Sequence, residues 1–456
     1  MAQQLPEWFL EKNIKMKKRK ILIDPNPILR QGTQDVEIFD GQLQELIDDM
    51  IYTMRNADGI GLAAPQIGES KKIIVVEYES ESDKDNSFPL TVLINPQILN
   101  ISDEQKFMIE GCLSFPGKEL YIKRPSEIAI SGCDRWGKPL TIKASGLFSR
   151  ALQHEIDHIN GVLMIDHVKE IKTIFIGNGT LGLPTLGMLI SNPQYKLEAV
   201  FTSNDQLVGR KKTIAETEVA KKAKEMGAKV YKIETIKSPD VVKKIRDINP
   251  DIMVLADYRE IVPEKIFEIP KLGVLNIHPS ILPKYRGPSP IVSAILNGDK
   301  TTGVSIIKIN QGVDTGDVLA QIEVKIRSRE TAISLKKRLA EIGADLLAEL
   351  IPYYIAGEIS PIKQKDDPSS GTIKLSKDRG KLSGKESSIV IDRMVRALNP
   401  WPGVYLVKDN KRIYLTKVHL DKNRKLVIDK IKPEGKREMN YQDYLRGNKK
   451  ELTLGE

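Results

Sequence analysis

Five histidines occur in 456 residues, and three of them stand in patterns that could do chemistry. His154 and His158 lie in HEIDH, an HExxH pattern. On a helix, residues four apart project from one face, so both imidazoles can bind one metal ion. Glu155 is offset around that helix and can act as general acid/base on a water at the metal. His278 lies in LNIHPSILPKYRG, two residues after Asn276. In an extended segment the two share a face. Downstream, GVDTGD offers Asp314. Spacing alone leaves alternatives open: HEIDH fits a surface helix with two unrelated histidines, and His278 fits a packed or capped histidine.

The elements that must position these groups differ in kind. Leu43, Leu46, Ile47, Met50, Ile51 and Met54 form a helical stripe over 42–57, ended by Asp58-Gly59. Short strand-like runs follow at 73–76, 92–94 and 127–132. A turn at 135–139 leads into a returning LTIKA, and a helix over 149–160 carries HEIDH. This is α+β organisation. From about residue 171 the pattern alternates. Strands are expected at 171–177, 198–202, 229–233, 251–256 and 273–277, with helices at 181–191, 214–227, 238–248 and 288–297. Such alternation predicts an α/β, Rossmann-like parallel sheet. A long helix over 330–356 closes it, and PIKQKDDPSSG at 361–371 reads as a linker. Short basic strands beyond it predict a small β-barrel.

Composition narrows the classes. A chain of 456 residues with 40% apolar and 29% charged residues is globular and multidomain. The longest apolar runs fall short of a membrane span, and the first residues lack the pattern of a secretory signal. With only Cys112 and Cys133, a reducing cytoplasm is the default compartment. Of the net charge of +9, the segment from Pro361 onward carries +10, from 23 Lys and Arg against 13 Asp and Glu. A basic appendage on a neutral body suits a polyanionic partner, or a solvated surface.

GIGLAAPQ at 59–66 and EGCLSFPG at 110–117, together with HEIDH, are the three motifs by which the chain resembles peptide deformylases over about 17–168. The resemblance implies that Cys112 joins His154 and His158 as metal ligands. It implies Fe(II), with Zn or Ni as substitutes, and an activated water that attacks the formyl carbon of a formyl-Met peptide. Gln66 and the Leu113 backbone N–H would hold the oxyanion, and Glu155 would pass the proton to the leaving amine. Gly59 and Gly61 would let the backbone approach substrate closely. Cys133 has no such context and is expected to be structural.

From about 171 onward the chain resembles methionyl-tRNA formyltransferases. NIHPSILPKYRG and GVDTGD match the core shared by enzymes that use 10-formyltetrahydrofolate. RALNPWPGVY at 396–405 and KPEGKREMNYQDYLRG at 432–447 match the C-terminal domain of the tRNA enzyme. The resemblance implies that Asn276 and His278 stabilise an oxyanion, that Asp314 orients or keeps protonated His278, and that Ser280, Ile281, Leu282 and Pro283 contact folate. Arg210, in DQLVGRKKTIAETEV, would enter the tRNA acceptor stem. Two turns depart from the family, Gly177-Asn178-Gly179-Thr180 replacing Gly-Thr-Pro and Ala256-Asp257-Tyr258-Arg259 replacing Ala-Tyr-Gly, and the loop at 205–219 lacks the family's prolines.

The resulting expectation is an N-terminal extension at 1–16, a deformylase domain at 17–170 and a formyltransferase catalytic domain at 171–360. A linker at 361–371 and an OB-like tRNA-binding domain at 372–456 follow. The partners implied are methionyl-initiator tRNA and N-formylmethionyl nascent peptides near the ribosome, with no membrane. An alternative is an active deformylase joined to a module that only binds tRNA or formylates another amine, such as a sugar nucleotide.

Overall fold

The computed structural model describes residues 16–208, 213–365, 371–372, 374–448, 452 and 454. Two compact units divide at Glu170/Ile171, with Asn192–Gln194 grouped with the first.

In the first unit, helix α1 (Gly41–Arg55) is capped by Asp40, whose side chain accepts the Leu43 N–H at 3.0 Å. All six residues of its stripe are buried. Five strands form an antiparallel sheet in the order β1-β2-β3-β6-β7: β1 (Gly61–Ala63), β2 (Ile73–Tyr78), β3 (Phe88–Ile101), β6 (Glu127–Cys133) and β7 (Pro139–Ser145). A separate hairpin, β4 (Gln105–Gly111) with β5 (Glu119–Pro125), lies between them in sequence. Helix α2 (Gly146–Ile159) starts three residues before the expected position. Ala151, Leu152, Ile156 and Ile159 pack it on one face of the sheet, and α1 packs with the other core cluster.

The second unit opens with β8 (Ile171–Gly177), α3 (Leu183–Ser191) and β9 (Tyr195–Ser203). A short antiparallel pair follows, β10 (Gln206–Val208) and β11 (Thr213–Ala215). Then come α4 (Glu218–Glu225), β12 (Val230–Ile233), α5 (Pro239–Ile248), β13 (Ile252–Ala256), α6 (Glu264–Phe267), β14 (Val274–His278) and α7 (Pro290–Asn297). The helix expected at 214–227 is shorter, because the Thr217 hydroxyl caps it by accepting the Ala220 N–H. The long strands β15 (Thr301–Lys308) and β16 (Asp317–Lys325) were not expected as a pair, and α8 (Ala332–Ile355) follows them.

The sheet order is β12-β9-β8-β13-β14-β15-β16, parallel through β14 and antiparallel thereafter. Successive residues of β8 and β13 enter opposite core clusters: Phe175 and Val254 in one, Ile174, Ile176, Met253 and Leu255 in the other. Burial on both faces explains why these strands read as continuous apolar runs. The chain winds outward from β8 on one side and from β13 on the other. Their carboxyl ends therefore flank the crevice where open α/β sheets take ligands.

After α8, α9 (Ser388–Leu398) is followed by a four-stranded antiparallel sheet: β17 (Val404–Lys408), β18 (Lys411–Leu420), β19 (Leu426–Pro433) and β20 (Met439–Asn440). Helix α10 (Tyr441–Gly447) closes it. Ile391, Val395 and Leu398 of α9 share one apolar cluster with Ile291 and Ile295 of α7, which joins this small domain to the α/β core. Among the described residues, no helix is long and apolar enough to cross a membrane.

Candidate functional site

Helix α2 brings His154 and His158 to one face, as their spacing requires, with ring centroids 5.0 Å apart. The turn after β4 places Cys112 Sγ 3.2 Å from His158 Nε2. One ligand atom from each of Cys112, His154 and His158 lies within 4.8 Å of the others. Two N–H groups point at the sulfur, from the Ser114 backbone at 3.4 Å and Gln66 Nε2 at 3.7 Å.

Glu110 completes the surroundings and was missed in the sequence reading, although it opens EGCLSFPG. His154 Nδ1 lies 2.9 Å from Glu110 Oε2. Arg124 reaches both Glu110 oxygens at 2.6 and 2.9 Å, and Arg150 adds a bond of 2.6 Å. Burial would raise the Glu110 carboxyl, but the bonds from His154 and Arg124 outweigh it and hold the group well below the usual carboxylate range. An ionised carboxylate only accepts, so His154 carries its proton on Nδ1 and presents Nε2 to the cluster. Burial, then the charges of His154 and Arg124, push His158 well below the ordinary histidine range, whereas His154, against its burial, is held well above it by hydrogen bonds to Cys112 and Glu110, so an ion bound at Nε2 would displace a proton there. A neutral imidazole is the form that binds a metal. The donor set of one sulfur and two imidazoles fits a four-coordinate ion with one open position.

Glu155 is buried against this cluster, and its Oε2 has no hydrogen-bond partner among the described residues. Burial pushes its carboxyl up to about 7. Gln66 is anchored by its Oε1, which accepts the Ala63 N–H at 2.8 Å, while Nε2 also donates to Ser114 Oγ at 3.3 Å. The two glycines have a specific role inside the protein. A Cβ on Gly59 would meet Leu113 Cδ1 at 2.7 Å, and one on Gly61 would collide with the Glu155 carboxylate.

In the second unit, Asn276 and His278 are buried at the carboxyl end of β14, and the loop between β15 and β16 supplies Asp314. Asn276 Nδ2 donates to Asp314 Oδ1 at 3.3 Å, and Asp314 Oδ2 lies 3.6 Å from His278 Nδ1. His278 Nε2 lies 2.9 Å from the Tyr285 carbonyl, which only accepts, so Nε2 carries hydrogen. The three residues therefore form one connected group. In the neighbouring stretch, Ser280 Oγ donates to the Lys284 carbonyl, while Ile281 and Pro283 are half-buried. Leu282 is buried, its N–H bound to Ser305 Oγ and its carbonyl accepting from Gln321. Arg210 lies outside the described residues.

The two turns that depart from the family pattern are physically linked. Asp257, at the end of β13, takes a left-handed φ of +54°. Its carboxylate fills the space that a Cβ at position 179 would need, and Lys336 Nζ meets it at 2.6 Å. Asn178 Oδ1 turns away to accept from Thr202 Oγ1 at 3.0 Å and the Ser203 N–H at 2.8 Å. Gly179 is therefore required by Asp257.

The family model for polypeptide deformylase matches residues 18–173, formyl transferase matches 171–351, and the formyl transferase C-terminal domain matches 374–427. A methionyl-tRNA formyltransferase of Methylacidiphilum infernorum is 33% identical over 312 residues, 62% of this chain and 97% of that protein. The chain belongs to the methionyl-tRNA formyltransferase family and carries a peptide deformylase domain ahead of it. A methionyl-tRNA formyltransferase of Clostridium novyi is 34% identical over 306 residues, covering 62% of this chain and 98% of that one. A peptide deformylase structure from Legionella pneumophila is 42% identical over 34% of this chain and 87% of that chain, with a TM-score of 0.31. Two enzyme families, a hydrolase and a transferase, are thus fused in one polypeptide. The deformylase family implies a metal and the formyltransferase family a folate donor.

Proposed function

We propose that this is a bifunctional enzyme of translation initiation, whose two centres handle the same one-carbon group in opposite directions. The first hydrolyses the formyl group of N-formylmethionyl peptides, and the second transfers formyl from 10-formyltetrahydrofolate to methionyl-initiator tRNA. The observation that carries the reading is that each unit gathers its own donor set: Cys112, His154, His158, Glu155 and Gln66 in one, and Asn276, His278 and Asp314 in the other.

At the first centre, Cys112, His154 and His158 would hold Fe(II), or Zn or Ni in its place. Such an ion supplies Lewis acidity toward the formyl oxygen and toward water. Gln66, anchored through its Oε1 by the Ala63 N–H, donates from Nε2 to the developing oxyanion, and the Leu113 N–H is the second donor. Glu155 takes the proton from the attacking water and delivers it to the departing peptide amine. Gly59 and Gly61 leave the space that Leu113 and Glu155 occupy beside the substrate.

At the second centre, the methionyl amine attacks the formyl carbon. Asn276 and His278 donate to the oxyanion, and Asp314 orients both and accepts the amine proton. Folate N10 leaves with the proton that Asp314 took from the amine, with Ser280–Pro283 forming part of the folate wall. The basic β domain holds the tRNA. Arg412, Lys417 and Lys432 are exposed on β18 and β19, where Lys417 pairs with Lys430 and Tyr414 with Lys432. Arg210 is assigned to the acceptor stem, and the compartment to the cytoplasm, near the ribosome.

The test is to supply one purified full-length preparation, loaded with Fe(II), with each substrate set. Formate release from a formyl-Met peptide and formylation of methionyl-tRNA are both expected. Deformylation without any formyl transfer would reduce the second unit to a binding module.

A further inference from the structure

We propose that Gln364 is a positioning residue of the formyl-transfer centre: it is a clamp through which the segment entering the C-terminal β domain holds Asp314 in place. The proposal rests on the formyl-transfer reading above.

Gln364 lies in PIKQKDD, a polar run that reads as solvated linker. It is nevertheless buried, with 8% of its surface exposed. Two residues earlier, Ile362 exchanges both backbone hydrogen bonds with Val318 of β16 at 2.8 Å, which anchors the segment to the sheet edge. The Gln364 amide then spends its full bonding capacity. Its Nε2 donates to the Asp314 carbonyl at 2.9 Å and the Gly316 carbonyl at 2.7 Å. Its Oε1 accepts from Arg286 Nε at 3.0 Å and Nη2 at 2.7 Å. Two N–H groups and two lone pairs are all that an amide has. A flipped amide would set NH2 against a guanidinium, so the orientation is fixed.

What it grips is the catalytic loop. Asp314 adopts φ of +51°, a left-handed conformation uncommon outside glycine. Such conformations persist where the surroundings over-determine them. The Asp314 backbone is held by Gln364, and its carboxylate accepts the Gly287 N–H at 2.8 Å. Gly287 follows Arg286, the other partner of Gln364. The contacts therefore close into a ring through Gln364, Arg286, Gly287 and Asp314. Thr372, where the chain nears the β domain, grips the same turn: its N–H donates to the Arg286 carbonyl at 2.8 Å, and its Oγ1 accepts the Ser289 N–H at 3.2 Å. Displacement of this strap moves the loop that aims Asp314 at Asn276 and His278.

The test uses Gln364→Ala and Gln364→Glu in the full chain. Glutamate keeps the oxygen that accepts both Arg286 bonds but sets its second oxygen, with no N–H, against the Asp314 and Gly316 carbonyls, so it breaks the half of the clamp that faces Asp314. Both variants should lower kcat of formyl transfer about 10- to 100-fold, the scale of a small misplacement of a catalytic group. The KM values for formyl donor and methionyl-tRNA should stay at wild-type level, the kcat–pH profile should be displaced, and deformylation by the same preparation should be unchanged. A wild-type kcat in either folded variant would overturn the clamp. So would a loss of rate that only tracks a loss of folded protein in both. A wild-type chain that transfers no formyl group would instead overturn the underlying reading.

Discussion

Glu155 occupies the space in front of Gly61: a Cβ at position 61 would collide with the Glu155 carboxylate. The glycine in GIGLAAPQ and the acid in HEIDH, distant in sequence, are therefore one structural unit. Gly61→Ala should displace Glu155 while leaving Cys112, His154 and His158 in place. Deformylase kcat should fall about 100-fold, the range for loss of an acid–base group, with bound metal unchanged by metal analysis. Full activity in Gly61→Ala would show that the contact has no catalytic consequence.

Glu155→Gln separates proton transfer from metal binding. The amide is isosteric and is not a ligand, so metal content should remain at one ion per chain while hydrolysis falls about 10²–10⁴-fold. Cys112→Ala should lose the metal itself, because the thiolate is one of three protein ligands. Near-normal turnover by Glu155→Gln would remove Glu155 from the mechanism.

His278→Ala and Asp314→Asn should each reduce formyl transfer about 10²–10³-fold, the scale for losing an oxyanion donor or its support. Both should leave formate release from formyl-Met peptides intact, since these residues belong to the second unit. A parallel fall in both activities would contradict two separate centres.

Binding of methionyl-tRNA should weaken steeply with salt, because phosphate contacts release counterions. Replacing Lys417, Lys430 and Lys432 by alanine should flatten the plot of log affinity against log salt by about 2–3 units of slope. Equal slopes for variant and wild type would return these lysines to an ordinary solvated surface.

Much of this was legible in the sequence for physical reasons. The strands of the α/β sheet are buried on both faces, so Phe175, Val254 and their neighbours read as unbroken apolar runs. HEIDH and Asn276/His278 are local patterns whose geometry follows from helix and strand periodicity. What escaped depends on distant partners. Hairpin β4–β5, which brings Arg124 to Glu110, has polar residues interleaved with buried ones because it surrounds a charged network. Gln364 sits in a run indistinguishable from linker until its four bonds are seen. Asp257 departs from the family pattern far from Gly179 in sequence, whereas in the fold Gly179 and Lys336 accommodate it as a set.

The most direct measurement concerns metal dependence of both reactions in one full-length preparation. Formate release and methionyl-tRNA formylation are followed before chelation, after chelation and after Fe(II) is restored. Deformylation should vanish and return, because it depends on Cys112, His154 and His158, while formyl transfer through Asn276, His278 and Asp314 should stay constant. Formyl transfer that vanishes and returns in step with deformylation would contradict a second centre that works through Asn276, His278 and Asp314.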